Sequence, residues 1–207
     1  RALNCSRPLT TPAGIRPRTL LAELTYFGLI GLAYLLVEIP LIQRFILFLG
    51  QPAYAVTTVL FCLLLFSGLG SQIVQSWQVS PRFALSALTL LLLGFVWLLS
   101  PLLSLGLGLP FGMRLALTAV VLAPLGLLMG IPFPTGIRRL RRAAPDLIPQ
   151  AWAVNGAASV VASVLAALLA LAFGFRGVLI AGAACYAAAA FTAAALRSRT
   201  APLPPPR

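Results

Sequence analysis

The chain has 207 residues, of which 60% are hydrophobic and 9% charged. A water-soluble domain carries about 25% charged residues because water must wet its surface. So few charges cannot cover a water-facing exterior, and the solvent of this chain is expected to be lipid. The net charge of +12 comes from fifteen basic residues, all arginine, against Glu23, Glu38 and Asp146, with no histidine.

A charge of this size can signal nucleic acid. Here, however, the arginines cluster at the ends of hydrophobic runs, which suits anionic lipid head groups; the bilayer is the expected partner, and no nucleic acid. General acid–base work usually falls to His, Asp, Glu or Lys, and this chain has no His or Lys. No nucleophile–base pair, metal-ligand cluster or phosphate loop stands out, so no catalytic, cofactor or metal residue is assigned. Cys5, Cys62 and Cys185 show no motif spacing. The last two sit in apolar runs and are expected to pack as small hydrophobes.

Residues 1–19 are polar and Pro-rich, lack the hydrophobic core of a signal peptide, and are read as a cytoplasmic linker cut from a longer chain. A span of hydrocarbon needs about 20 apolar residues, and six such segments follow. They run over about 20–39, 53–74, 83–103, 113–133, 150–173 and 178–196, giving an all-α polytopic membrane bundle as the fold class. Pro40 is expected to kink or end the first helix, with residues 41–50 bending along the interface or re-entering the bundle. Between the fourth and fifth segments, Pro132 and Pro134 break the helix and lead into a basic loop, Arg138, Arg139, Arg141 and Arg142, read as a lipid-surface anchor. Residues 197–207 read as a disordered cytoplasmic tail.

Six crossings place twelve arginines on one side and Arg44, Arg114 and Arg176 on the other. Arginine-rich loops stay in the cytoplasm, so both termini are predicted to be cytoplasmic and the protein to be multi-pass in the inner membrane.

Glu38 is the sharpest polar candidate, an acid near the end of an apolar run, with Arg44 and Arg114 as its expected partners. Gln43 lies beside this group. Asn155, inside the fifth segment, must bond across helices or to water. Around it Gly156, Ser159, Ser163, Ala166 and Ala170 recur at steps of three and four, a stripe of small side chains suited to close helix packing. Ser67, Gly68 and Ser71 mark a second expected close crossing. The glycines from Gly106 to Gly112 follow no strand and are rejected as a dinucleotide loop.

Three stretches carry a family resemblance. The first is Val37-Glu38-Ile39-Pro40-Leu41-Ile42-Gln43-Arg44-Phe45 with Leu47-Phe48-Leu49-Gly50-Gln51-Pro52-Ala53-Tyr54-Ala55. The second is Leu65-Phe66-Ser67-Gly68-Leu69-Gly70-Ser71. The third joins Gly130-Ile131-Pro132-Phe133-Pro134 to Ala151-Trp152-Ala153-Val154-Asn155-Gly156-Ala157-Ala158-Ser159. Over roughly residues 20–195 the chain resembles the carboxyl-terminal membrane region of bacterial spermidine synthase-like membrane proteins, a major-facilitator-like part fused to a spermidine synthase-like domain. The resemblance implies a Rossmann-like catalytic domain, preceding or separate, that would hold decarboxylated S-adenosylmethionine or a related donor. None of its residues lie in this chain. Three readings follow: a membrane module that anchors such a domain and forms a substrate passage, a transporter or half-transporter for an amine or lipid-like solute, and a structural subunit of a membrane complex. The second would need a partner or a homo-oligomer, because six helices are few for a complete facilitator.

Overall fold

The computed structural model describes residues 17–77 and 80–199. Among them the regular structure is helical, without strands: α1 (Pro17–Leu49), α2 (Pro52–Trp77), α3 (Pro81–Leu105), α4 (Phe111–Met129), α5 (Pro132–Ala143), a 3-10 turn (Pro145–Leu147) and α6 (Ile148–Arg199). Proline opens α1, α2, α3 and α5, where its missing N–H has no intrahelical acceptor to lose and its fixed φ already suits a helix. Five stretches are long and apolar enough to cross a membrane: Thr19–Leu49, Pro52–Val74, Pro81–Leu105, Phe111–Ala143 and Pro145–Leu196. In hydrocarbon a backbone must satisfy its polar groups internally, which a helix does.

The last stretch holds both of the final two predicted segments in 52 residues. It is interrupted at Gly174, where φ is 67° and ψ 177°, a backbone region essentially restricted to glycine. What α1 touches on either side of the break shows the path. Asn155 and Ser159 bond to carbonyls at Phe27 and Gly31, whereas Gly182 packs against Val37 and Leu36. In a straight helix residues 155 and 182 would lie about 40 Å apart, while 31 and 37 in α1 are separated by about 9 Å. Both arms therefore lie along α1, and the chain doubles back at Gly174, with Phe175 reaching the far end of α1 under Arg44.

α1 is accordingly the centre of the bundle. Tyr26, Phe27, Ile30, Ala33, Leu36, Val37, Leu41, Phe45 and Phe48 are buried on it, more than one stripe wide, because partners lie on several sides. α6 packs on α1 and α3, and α2 packs on α4 and α1. The outer faces are apolar and exposed, with Phe61, Leu64 and Leu65 on α2, Leu90, Trp97 and Leu98 on α3, and Val160, Val164 and Leu171 on α6, as lipid-facing surfaces are.

Three expectations change here. α1 continues through Pro40 to Leu49 as one helix, about 50 Å long at 1.5 Å per residue. Neighbouring helices cover that region, with Pro40 and Leu41 buried, and such packing lets a membrane helix absorb a proline. The expected basic loop is an amphipathic helix, α5, started by Pro132 and presenting Arg141 and Arg142 in its last turn. Prolines at a first turn begin a helix as readily as prolines inside one break it. α6 runs to Arg199, so the backbone of residues 197–199 is helical; the rest of the expected tail, and residues 1–16 of the expected linker with Cys5, lie outside the described residues. Cys62 is buried in the core and Cys185 half-buried, both as free thiols.

Candidate functional site

α2 and the first arm of α6 stand on either side of α1 without packing on each other, leaving a cleft of about 580 Å³. Its floor is Ile30, Gly31 and Tyr34 of α1. Leu64, Ser67, Gly68 and Ser71 of α2 form one wall, and Trp152, Asn155 and Ser159 of α6 the other. The α4–α5 junction closes one end with Gly130, Pro132, Phe133 and Pro134, and Tyr186 of the second arm also reaches it.

Two close crossings set its walls. Gly31 has no side chain because Asn155 occupies that space: a methyl there would meet the Asn155 carbonyl oxygen and lie 2.6 Å from its Nδ2. The amide donates from Nδ2 to the Phe27 carbonyl at 3.0 Å, and Ser159 Oγ donates to the Gly31 carbonyl at 3.1 Å or the Asn155 carbonyl at 3.0 Å. Across the cleft, Gly130 lies against the Ser67 carbonyl and Gly70 against the Leu127 carbonyl, while Gly126 leaves room for Phe66. Backbones approach this closely in membranes where small residues face one another.

The junction is fixed from below by the ion pair of Arg139 with Glu23. Nε donates to Oε1 at 3.1 Å and Nη2 to Oε2 at 2.6 Å, a bidentate geometry that fits a guanidinium to a carboxylate. The Arg139 guanidinium also lies 5.0 Å from the Tyr26 ring centre. Tyr26 donates its hydroxyl to the Pro132 carbonyl at 2.8 Å, a carbonyl that also accepts from Thr135 Oγ1. Arg138 donates to the Val74 carbonyl at 3.1 Å, tying α5 to the end of α2. Phe27, Phe133 and Trp152 stack edge to face along the junction, with centres 5.5 and 4.5 Å apart.

The cleft is chiefly apolar, with a few polar groups turned into it. Asn155 Oδ1 accepts no hydrogen bond among the described residues, and Tyr34 lies beside Ser67, whose Oγ donates to the Leu64 carbonyl. The arrangement suits an amphiphile entering sideways from lipid: apolar walls for a tail, an amide and hydroxyls for a polar group.

Several sequence candidates fall elsewhere. Glu38 sits one turn beyond Tyr34 on α1, half-buried and outside the cleft lining. Neither expected partner pairs with it. Arg44 lies 5.5 Å from the Phe175 ring centre. Arg114 donates to the carbonyls of Leu109 at 2.9 Å, Phe48 at 3.2 Å and Leu107, and lies 6.0 Å from the Phe48 ring centre. Carbonyls freed at helix ends and aromatic faces satisfy a guanidinium as a carboxylate would, which is why depth in the membrane did not predict the pair. Among the described residues the Arg139–Glu23 pair is the one salt bridge. Gln43 is exposed on α1.

The expected small-residue stripe is kept in part, with Ser159, Ala166 and Ala170 on the packed face or at its edge. The packed face of the first arm is Ala151, Asn155, Ser159, Ala162 and Ala166, with Ala151, Ala162 and Ala166 fully buried. Ala170 packs at its edge. Gly156 points to open space, and Ser163 turns its hydroxyl back to the Val160 carbonyl. Small residues occur around this helix, so size alone does not choose the face. Gly68 likewise faces open space; Ser67 and Gly70 make the α2–α4 crossing. Sequence reasoning passed over Tyr34 and the Glu23–Arg139 pair, and named Trp152 only within a resemblance stretch. The signal for the pair was an acid early in the first apolar run and an arginine cluster predicted on the same side.

No family model, curated protein or solved structure matches the chain.

Proposed function

We propose that this chain is the membrane module of a spermidine synthase-like protein, holding a cytoplasmic aminopropyltransferase- or methyltransferase-like domain at the inner membrane and offering its substrate or product a lateral passage. One observation carries the reading: the second and third stretches of the family resemblance, well separated in the sequence, line the same cleft, through Ser67, Gly68 and Ser71 on one wall, Trp152, Asn155 and Ser159 on the other, and Gly130, Pro132, Phe133 and Pro134 at one end. In this reading α6 crosses twice, which makes six crossings. Arg82, Arg138, Arg139, Arg141 and Arg142 then lie at the cytoplasmic face, and Arg44, Arg114 and Arg176 at the outer one. The major-facilitator-like character and the polyamine chemistry belong to the same proposal.

The reading frame preceding residue 1 tests the anchor: it is expected to encode a Rossmann-like domain, and a stop codon with no such coding region counts against fusion. Trp152 tests the passage. With Trp77 and Trp97 replaced by Phe, spermidine added to the protein in nanodiscs is expected to shift Trp152 emission, and an unchanged spectrum contradicts a passage there.

A second reading, a transporter or half-transporter for an amine or lipid-like solute, is favoured by Glu38, an acid within a membrane-spanning stretch that has no ion pair among the described residues. Such acids in membranes mark ion and substrate paths. Uptake into proteoliposomes should then be lost in Glu38→Gln while insertion is intact.

A further inference from the structure

A second groove lies between the second arm of α6 and α3. It has a volume of about 330 Å³ and is lined by Arg82, Ser86, Thr89 and Leu90 of α3 and by Ala187, Ala190, Phe191 and Ala194 of α6. Its composition is graded. Arg82 stands at the first turn of α3, Ser86 follows one turn deeper, and beyond it the walls become apolar. Thr89 is already satisfied, donating Oγ1 to the Leu85 carbonyl at 2.8 Å, so it presents its methyl group rather than a free donor. Alanines at 187, 190 and 194 make the groove, and Phe83 and Phe191, 69% and 77% exposed, stand toward lipid on either helix.

The cation at the mouth is uncommitted. The other described arginines with a fixed partner spend their guanidinium on a carbonyl, a carboxylate or a ring: Arg138, Arg139, Arg114, Arg44 and Arg176. Arg82 has no hydrogen bond, ion pair or ring contact among the described residues and is exposed. A free guanidinium at the wet end of an apolar groove between two membrane helices complements one class of molecule, an anionic phospholipid. Its phosphate matches the planar donor fork, and its acyl chain fills what the alanines leave open. Basic pockets between membrane helices bind acidic lipid head groups by this division of labour.

We infer that the α3–α6 groove is a binding site for one anionic phospholipid, with the phosphate on Arg82 beside Ser86 and an acyl chain along Ala187, Ala190 and Ala194. The site shares no residue with the α1 cleft, so it stands or falls apart from the proposed function.

Native mass spectrometry of the full chain, released from detergent after equilibration with phosphatidylglycerol or phosphatidylcholine, tests it. Phosphatidylglycerol is expected to remain as a single bound copy and phosphatidylcholine to be retained weakly. Arg82→Gln should lower phosphatidylglycerol retention about fivefold, the effect of one basic residue near an acidic lipid, and Arg141→Gln, which removes the same charge from the exposed end of α5, should leave it unchanged. Ala190→Phe, which fills the groove and keeps the charge, should also displace the lipid, while circular dichroism confirms the fold. Equal retention of both lipids, equal losses in Arg82→Gln and Arg141→Gln, or displacement of the lipid by millimolar inorganic phosphate would each overturn the assignment, the last by showing a phosphate site that does not use the groove. A dimer formed without lipid that Ala190→Phe dissociates would overturn it too, giving the groove to a second copy.

Discussion

The two ends of the bundle hold their arginines in different ways. At the α5 end, Arg139 meets Glu23 in a bidentate pair beside Tyr26, and the carboxylate is almost fully covered. At the Gly174 end, Arg44, Arg114 and Arg176 meet no acid among the described residues. They rest on Phe175, on Phe48 and three carbonyls, and on Trp97. A guanidinium near a membrane boundary thus needs its donors satisfied and its charge spread, and a carboxylate is one of several ways to do it. The difference also leaves Glu38 without an ion pair among the described residues.

Glu23→Ala should have the largest effect. It leaves the Arg139 guanidinium against Tyr26 without its counterion, and loss of one member of a buried pair costs about 3 kcal/mol at the lower end of its range, the end that suits an arginine still partly wetted. Thermal unfolding in detergent should show the loss, and Glu23→Ala with Arg139→Ala should be less harmful than the sum of the two. Arg114→Ala comes next. It removes charge-assisted hydrogen bonds to helix-end carbonyls, each worth about 1.5–3 kcal/mol, so a loss of about 2 kcal/mol is expected, since water can reach the freed carbonyls at this half-exposed site. Were Arg114→Ala as costly as Glu23→Ala, the two ends would be equivalent in energy despite their difference in charge pairing.

Smaller effects sharpen the contrast. Asn155→Ala removes one interhelical hydrogen bond, and such bonds average about 0.6 kcal/mol in membranes. Its unfolding temperature should fall slightly, with the spermidine-induced change in Trp152 emission reduced far more. Glu38→Gln should be the mildest in stability, within about 0.5 kcal/mol, because it breaks no ion pair. A loss as large as that of Glu23→Ala would mean that Glu38 has a partner after all.

Much of this architecture was legible beforehand. Long apolar runs mark where the chain is cheaper in hydrocarbon than in water, and the segments predicted at 53–74 and 83–103 lie inside Pro52–Trp77 and Pro81–Leu105. The connection expected between residues 173 and 178 narrows to one glycine, Gly174. What escaped depends on neighbours. Pro40 looked like a terminator because its sequence does not show that α2, α4 and α6 surround α1. Residues 132–143 looked like a loop because two prolines and four arginines outweighed the period that puts Pro132, Gly136 and Leu140 on one buried face. The cleft residues Ser67, Ser71, Asn155 and Ser159 stood out as small or polar residues in apolar runs. Their meeting over Tyr34 could not be seen, since which face of a helix packs is decided by the glycines opposite, such as Gly31 and Gly130.

In the proposed topology the chain reverses at Gly174, α6 crosses twice, and the end that carries Arg82 and Arg141 faces the compartment opposite to Arg176. Single cysteines placed at Arg82, Arg141 and Arg176 in a background lacking Cys5, Cys62 and Cys185, and treated in intact cells with a membrane-impermeant thiol reagent, test this most directly. Position 176 should label at once and positions 82 and 141 only after the cells are opened. Labelling of 82 and 141 in intact cells, or protection of 176, would contradict it.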